Sequence, residues 1–215
     1  MKILKELPEI VPEFLENRKN PWEFGNSILY NMCADHPEHR DGGVIAGKLW
    51  LIGRAYSAAL ERRKTGDGAG TDEFYHEIAA PRMLAAGPEL DERIARLNSC
   101  AAIDDESLDL ALNTHKFLAD VLEEISGLEK RSLASKYLHF HCPKMFFIYD
   151  SRAKARIKQL VGKNQPRLYR HYPCGYDVDY ADFCVRALDL KEYIAQEYGV
   201  ELSPREIDNL LLYGE

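Results

Sequence analysis

The chain has 215 residues, 46% hydrophobic and 29% charged, enough to bury one substantial core, either as a single domain over 1–215 or as two lobes sharing an interface. A formal net charge of −7 excludes indiscriminate adhesion to DNA or to anionic membranes. No run reaches the apolar length of a bilayer span, the start MKILKELPEIVPEFLENRKN lacks signal-peptide anatomy, and five cysteines without regular spacing suit reduced thiols, so a soluble cytoplasmic protein without membrane contact is expected.

In chain order the patterning is helical nearly throughout. The first thirty-five residues hold two helices, with Trp22, Phe24 and Tyr30 packing between them or lining a cleft. The stretch 44–64, VIAGKLWLIGRAYSAALERRK, is apolar almost all round and is expected to run through the middle of the fold. Gly47 and Gly53 would let neighbouring helices approach it closely. Arg54 stands out there as a guanidinium among apolar residues, in need of a carboxylate or an anion if buried. TGDGAG, 65–70, reads as a loop and a soft boundary between two lobes.

Further helices are expected over 72–80 and 89–99. Over 104–126, Leu108, Ala111, Leu112, His115, Leu118, Leu122 and Ile125 recur at three- and four-residue steps. Asp104 or Asp105 would cap that helix and Gly127 would end it. His115 lies on its apolar face and reads as a core histidine. Helices follow over 132–141, 151–161, 180–198 and 204–212, and the only strand-like run is MFFIY, 145–149. The sum is an all-α fold of about eight to ten helices.

Two groups invite comparison with metal sites: Cys33, His36 and His39, and His139, His141 and Cys142. Neither reaches the four ligands at recognised spacings that zinc asks for, so no metal is expected. No phosphate loop, dinucleotide fingerprint or nucleophile elbow is present, and no cofactor is implied.

Charge is concentrated in one place. Between positions 150 and 171 stand seven basic residues, Arg152, Lys154, Arg156, Lys158, Lys163, Arg167 and Arg170, against the single acid Asp150. That is a net +6, which leaves −13 for the remainder of a chain totalling −7. The segment is either a localised site for an anionic polymer or a solvated helix face paired with acidic neighbours.

The stretch around 132–150 resembles the core of the helix-hairpin-helix DNA glycosylases. In that family a pattern of the form L-P-G-V-G-R-[KS]-T-A leads into a helix, and a short apolar run follows that ends in Asp before another helix, as in F-P-I-L-D-G-N-V. Here the corresponding residues are Ile125-Ser126-Gly127-Leu128, then Ser132-Leu133-Ala134, then Phe146-Phe147-Ile148-Tyr149-Asp150-Ser151. By that match Asp150 stands at the catalytic carboxylate, and Ser132 stands where bifunctional members carry a nucleophilic lysine. A serine there is similar to the monofunctional members, which use water. Glu129 replaces the second hairpin glycine, and the cysteines for an iron–sulfur cluster are missing.

The resemblance implies a glycosylase-like core and water-mediated cleavage of an N-glycosidic bond. Asp150 would be the reacting carboxylate, with Lys136, one turn beyond Ser132, as its ion-pair partner or a displaced amine. Tyr137, Tyr149 and Phe147 would form a pocket wall for an extruded base, with Arg54 as a further pocket candidate. Arg152, Lys154, Arg156, Lys158, Arg167 and Arg170 would hold phosphates of DNA or RNA. From the residues alone the plainer reading of Asp150 is an N-cap, a role that does not exclude facing a pocket. The alternative for the whole chain is a non-enzymatic helical module that binds a protein partner through its acidic surface.

Overall fold

The computed structural model describes residues 7–17, 22–62, 70–164, 167 and 175–213. Among them the chain forms nine helices and no strand, so the all-α reading holds. The helices are α1 (Leu7–Glu16), α2 (Glu23–Asp35), α3 (Gly42–Ala55), α4 (71–98), α5 (Leu108–Ser126), α6 (Arg131–His141), α7 (Ser151–Leu160), α8 (Val178–Tyr198) and α9 (Pro204–Leu211). One contiguous apolar core runs from Leu7 of α1 to Leu211 of α9. No described helix is long and apolar enough to cross a membrane. Apart from Gly70, the expected boundary at 65–70 lies outside the described residues.

Helix α6 is the axis. Leu133 through His141 are all buried, and α2, α3 and α5 pack around them. Two expectations fail beside it. The stretch 44–64 is not one central helix, because α3 stops at Ala55 and Ser57 takes a left-handed φ of 53°. Nor is the buried face of α3 wholly apolar: beside Ile45, Leu49 and Ile52 stands Lys48, fully enclosed and donating to the His36 carbonyl, while Trp50 and Leu51 are 44% and 39% exposed. Gly53 does permit a close approach, to the backbone of Ala59, where a Cβ would come within 3.2 Å. A Cβ on Gly47 would meet nothing within 4 Å.

The expected helices at 72–80 and 89–99 are one helix. Thr71–Glu73 continues into a π-helical turn, Phe74–Ala79, and on through Ala80–Asn98, with Pro88 in its interior. The Ala80 N–H bonds five residues back to the Tyr75 carbonyl, and Pro81 follows without an N–H to donate. Gly87 and Pro88 lie inside the helix, and Gly87 makes a close contact. A Cβ would fall 2.6 Å from the His39 carbonyl oxygen.

Helix α5 ends as expected at Gly127, whose φ of 68° closes the turn. Asp104 organises its start through Oδ1, which accepts from the N–H groups of Glu106 and Ser107. Residues 127–130 link α5 directly to α6. MFFIY is buried throughout but pairs with no strand among the described residues. Four of its backbone groups bond to side chains instead. Phe146 O accepts from His139 Nδ1 at 2.7 Å, Phe147 O from the Tyr180 hydroxyl at 3.0 Å and Tyr149 O from Ser132 Oγ at 3.0 Å, while Tyr149 N donates to Ser135 Oγ at 3.1 Å.

Candidate functional site

Asp150 caps α7. Its backbone is extended and its Oδ1 accepts from the Ala153 N–H at 2.9 Å, so the N-cap reading is correct. The same carboxylate turns Oδ2 toward Lys136 Nζ, 3.8 Å away. The Asp150 side chain keeps 32% exposure and that of Lys136 only 2%. Lys136 Nζ also donates to Ser132 Oγ at 2.8 Å. Ser132 spends its own proton on the Tyr149 carbonyl, the residue before Asp150. One relay therefore ties the interior lysine, the serine a turn before it and the end of the aromatic run to a half-buried carboxylate. Burial pulls the Lys136 ammonium below the ordinary lysine range, and the Asp150 charge opposes that.

Around this pair lies a cluster that sequence reasoning missed. Tyr56, just past α3, has its ring 5.7 Å from Lys136 Nζ. Its hydroxyl donates to Asn26 Oδ1 of α2 at 2.7 Å and accepts from Arg205 Nη1 of α9 at 3.1 Å. Arg205 Nη1 also donates to Asp208 Oδ2 at 2.8 Å. Asp208 is 3% exposed, and burial with the nearby Asp150 charge raises its carboxyl to about 6, against the pull of Arg205, Lys136 and Arg152. Tyr30 of α2 completes the group, its hydroxyl 2.6 Å from His139 Nε2. Because His139 Nδ1 faces the Phe146 carbonyl, that nitrogen carries the proton and Nε2 accepts from Tyr30.

Sequence signals for these residues exist but are faint. Asn26 shares a stripe with Leu29 and Cys33 on α2, and Asp208 sits among Pro204, Ile207 and Leu211 on α9. A polar side chain on an apolar stripe is the only local mark they leave.

The predicted pocket wall is not a wall. Tyr137, Phe147 and Tyr149 are 0%, 1% and 6% exposed and belong to the core. The Tyr137 hydroxyl lies 2.8 Å from His39 Nε2, and Asp91 binds His39 Nδ1 at 2.6 Å, so His39 joins a buried chain of its own. Arg54 is not enclosed either: its side chain is 53% exposed, ion-paired to Glu61 and 5.9 Å from the Trp50 ring centroid. Trp22 and Phe24, expected to pack, are 73% and 80% exposed, whereas Tyr30 does pack, 4.8 Å from Phe140.

The basic residues divide. Arg152 and Lys158 face solvent on α7, and Arg156 is half-buried, bonding Gln159 at 3.1 Å. Lys154 pairs with Asp179 at 2.9 Å. Arg167 is not available to a phosphate: it is 6% exposed and binds Asp105, Asp189 and Glu192, each at 2.6 Å. Arg170 lies outside the described residues. His115 is a core residue, its ring stacked 3.7 Å from Tyr180.

No protein-family model, curated protein or solved structure matches the chain.

Proposed function

We propose that this chain is a nucleic-acid-binding, glycosylase-like protein that uses Asp150 to cleave an N-glycosidic bond. The observation that supports the reading is the Lys136–Asp150 pair at 3.8 Å, placed at the start of a helix that carries Arg152 and Lys158 to solvent. The short link between α5 and α6 agrees with a helix-hairpin-helix arrangement. In the proposed step the bond between C1′ and the base breaks, and its electron pair leaves with the base. The carboxylate of Asp150 faces the oxocarbenium charge left on the sugar, a water oxygen bonds to C1′ and its proton passes to Asp150. Lys136 holds Oδ2 in place, and Ser132 holds Lys136. Phosphates flanking the sugar lie on α7.

The test has two stages. Binding to short DNA and RNA should weaken with salt, and Lys158→Ala should lower the salt slope by about one. Asp150→Asn should then reduce base release about a hundredfold or more while leaving affinity unchanged. No binding at low salt, or unchanged release in Asp150→Asn, rules the reading out.

A second reading has one observation in its favour. Trp22, Phe24 and Ile28 project 73%, 80% and 50% exposed from the start of α2, on a chain of net charge −7. They suit a protein partner, and the chain would then be a non-enzymatic interaction module.

A further inference from the structure

A cleft of about 260 Å³ opens between α3 and the first turns of α4, and none of its residues belongs to the Lys136–Asp150 cluster. Gly43, Ala46 and Gly47 border it from one face of α3, and Trp50 follows at the next turn. A Cβ on Gly47 would meet nothing within 4 Å, so that position faces open space. A helical side chain leans toward the N-terminus of its own helix, so the exposed Trp50 indole is directed along this strip of small residues. From α4 the cleft is bordered by Asp72, Tyr75 and His76. Asp72 and His76 are exposed, and among the described residues no hydrogen bond or ion pair engages either. Tyr75 is buried, and its hydroxyl is spent on Glu61 at 2.6 Å. Tyr75 and His76 both belong to the π-helical turn Phe74–Ala79, and such turns are frequent at functional sites.

The charges around the cleft select its ligand. Asp72, Glu73 and Glu77 stand on the first turns of α4, and Asp41 caps α3. Against them stands Arg54, whose guanidinium is already ion-paired to Glu61. The balance is negative and turns away phosphates and carboxylates. An indole face beside an unengaged carboxylate holds an organic cation: the ring quadrupole attracts the charge, and the carboxylate pairs with it. The chain carries its own example on the same ring, where Arg54 Cζ lies 5.9 Å from the Trp50 centroid and Glu61 supplies the carboxylate. A volume of about 260 Å³ falls below the range of about 300–1,000 Å³ usual for larger ligands, so the occupant is small. We propose that this cleft binds a small organic cation, an ammonium on an unbranched aliphatic stem. Asp72 pairs with the ammonium, Trp50 lies against it, and the methylenes cover Gly43, Ala46 and Gly47. A free alkylamine and a lysine side chain of a partner protein both carry that group.

The experiment uses the full chain at low salt and follows the indole N–H signals by nuclear magnetic resonance. The chain has two tryptophans, so Trp50→Phe identifies the Trp50 signal and Trp22, which does not border the cleft, serves as the control. n-Butylammonium, 1-butanol and butyrate are titrated in turn. n-Butylammonium should move the Trp50 signal and not that of Trp22, with a Kd on the order of 1 mM. It should bind at least about tenfold tighter than 1-butanol, and butyrate should leave the signal in place. Asp72→Asn, on an exposed side chain, should bring n-butylammonium down to the level of 1-butanol. Gly47→Leu, which builds into open space, should abolish the shift while the fold is kept. N-acetyl-lysine-N-methylamide is titrated in the same way: tighter binding than n-butylammonium assigns the cleft to a partner's lysine, and equal or weaker binding assigns it to a free amine. A Trp50 signal that n-butylammonium does not move, equal binding of 1-butanol, or unchanged binding in Asp72→Asn overturns the assignment.

Discussion

At the scale of single residues, the site is a set of charged groups held where water is scarce. Lys136 is the plainest case: enclosed at 1% exposure, it has the Ser132 hydroxyl, the Asp150 carboxylate and the Tyr56 ring beside it. Asp208 has a consequence that can be measured. Its folded-state carboxyl is raised to about 6 from an ordinary value of 3.8. Between those values the folded chain holds a proton that the unfolded chain has lost. Asp208 therefore favours folding below about 4 and loses that contribution as pH rises through about 6. Asp208→Asn removes the dependence. Urea unfolding of both proteins at pH 5.5 and 7.5 should show the unaltered chain losing about 1 kcal/mol relative to the variant as pH rises. An unchanged difference between the two would mean that Asp208 is ionised in the fold at both pH values.

At the scale of elements, α4 and α6 carry most of what the sequence could not announce. The Gly87-Pro88 pair has the signature of a helix break, and only the neighbouring chain explains why the helix continues. Gly87→Ala pushes a methyl group to 2.6 Å from the His39 carbonyl and should cost about 2 kcal/mol or more. Gly47→Ala in α3, where a Cβ meets nothing, should be neutral or should stabilise by about 0.5–1 kcal/mol. The melting temperature of Gly87→Ala should therefore fall, while that of Gly47→Ala should hold or rise. The existence of the helices was legible because apolar spacing is local: Leu108 to Ile125 mark α5, and Gly127 marks its end. The cap at Asp150 was legible for the same reason. The full burial of α6 was not, since Lys136, His139 and His141 look like a polar face until Ser132, Tyr30 and the Phe146 carbonyl are brought to them. Asn26, Tyr56 and Asp208 were missed because three distant segments build that cluster, and no spacing within one segment encodes it.

At the scale of the whole molecule, the core holds several neutral imidazoles. Burial pushes His115 and His139 down to about 4, and it lowers His39 and His141 as well. Each is neutral in the fold at pH values where the unfolded chain would take up a proton. Their contribution is complete above about 6.5 and is lost as pH falls toward 4, by up to about 3 kcal/mol for each of the first two. This slope opposes that of Asp208 and is the larger. The chain should therefore lose cooperative structure between pH 6.5 and 4, followed by circular dichroism, with an uptake of two or more protons per molecule in the transition. The two ends of the described chain also close on each other: Phe14 of α1 meets the Tyr213 ring at 5.6 Å, and Tyr213 bonds Glu13 at 3.1 Å.

The buried run 145–149 has a last implication. Its residues favour pleated pairing, and in the fold four of its backbone groups bond to serine, histidine and tyrosine side chains instead. Whenever α6 and α8 peel away, MFFIY becomes an uncharged, proline-free adhesive strip that can zip onto the same strip of a neighbouring molecule. In the folded chain those side-chain contacts would oppose such pairing. Ser132, which also steadies Lys136, belongs to both duties.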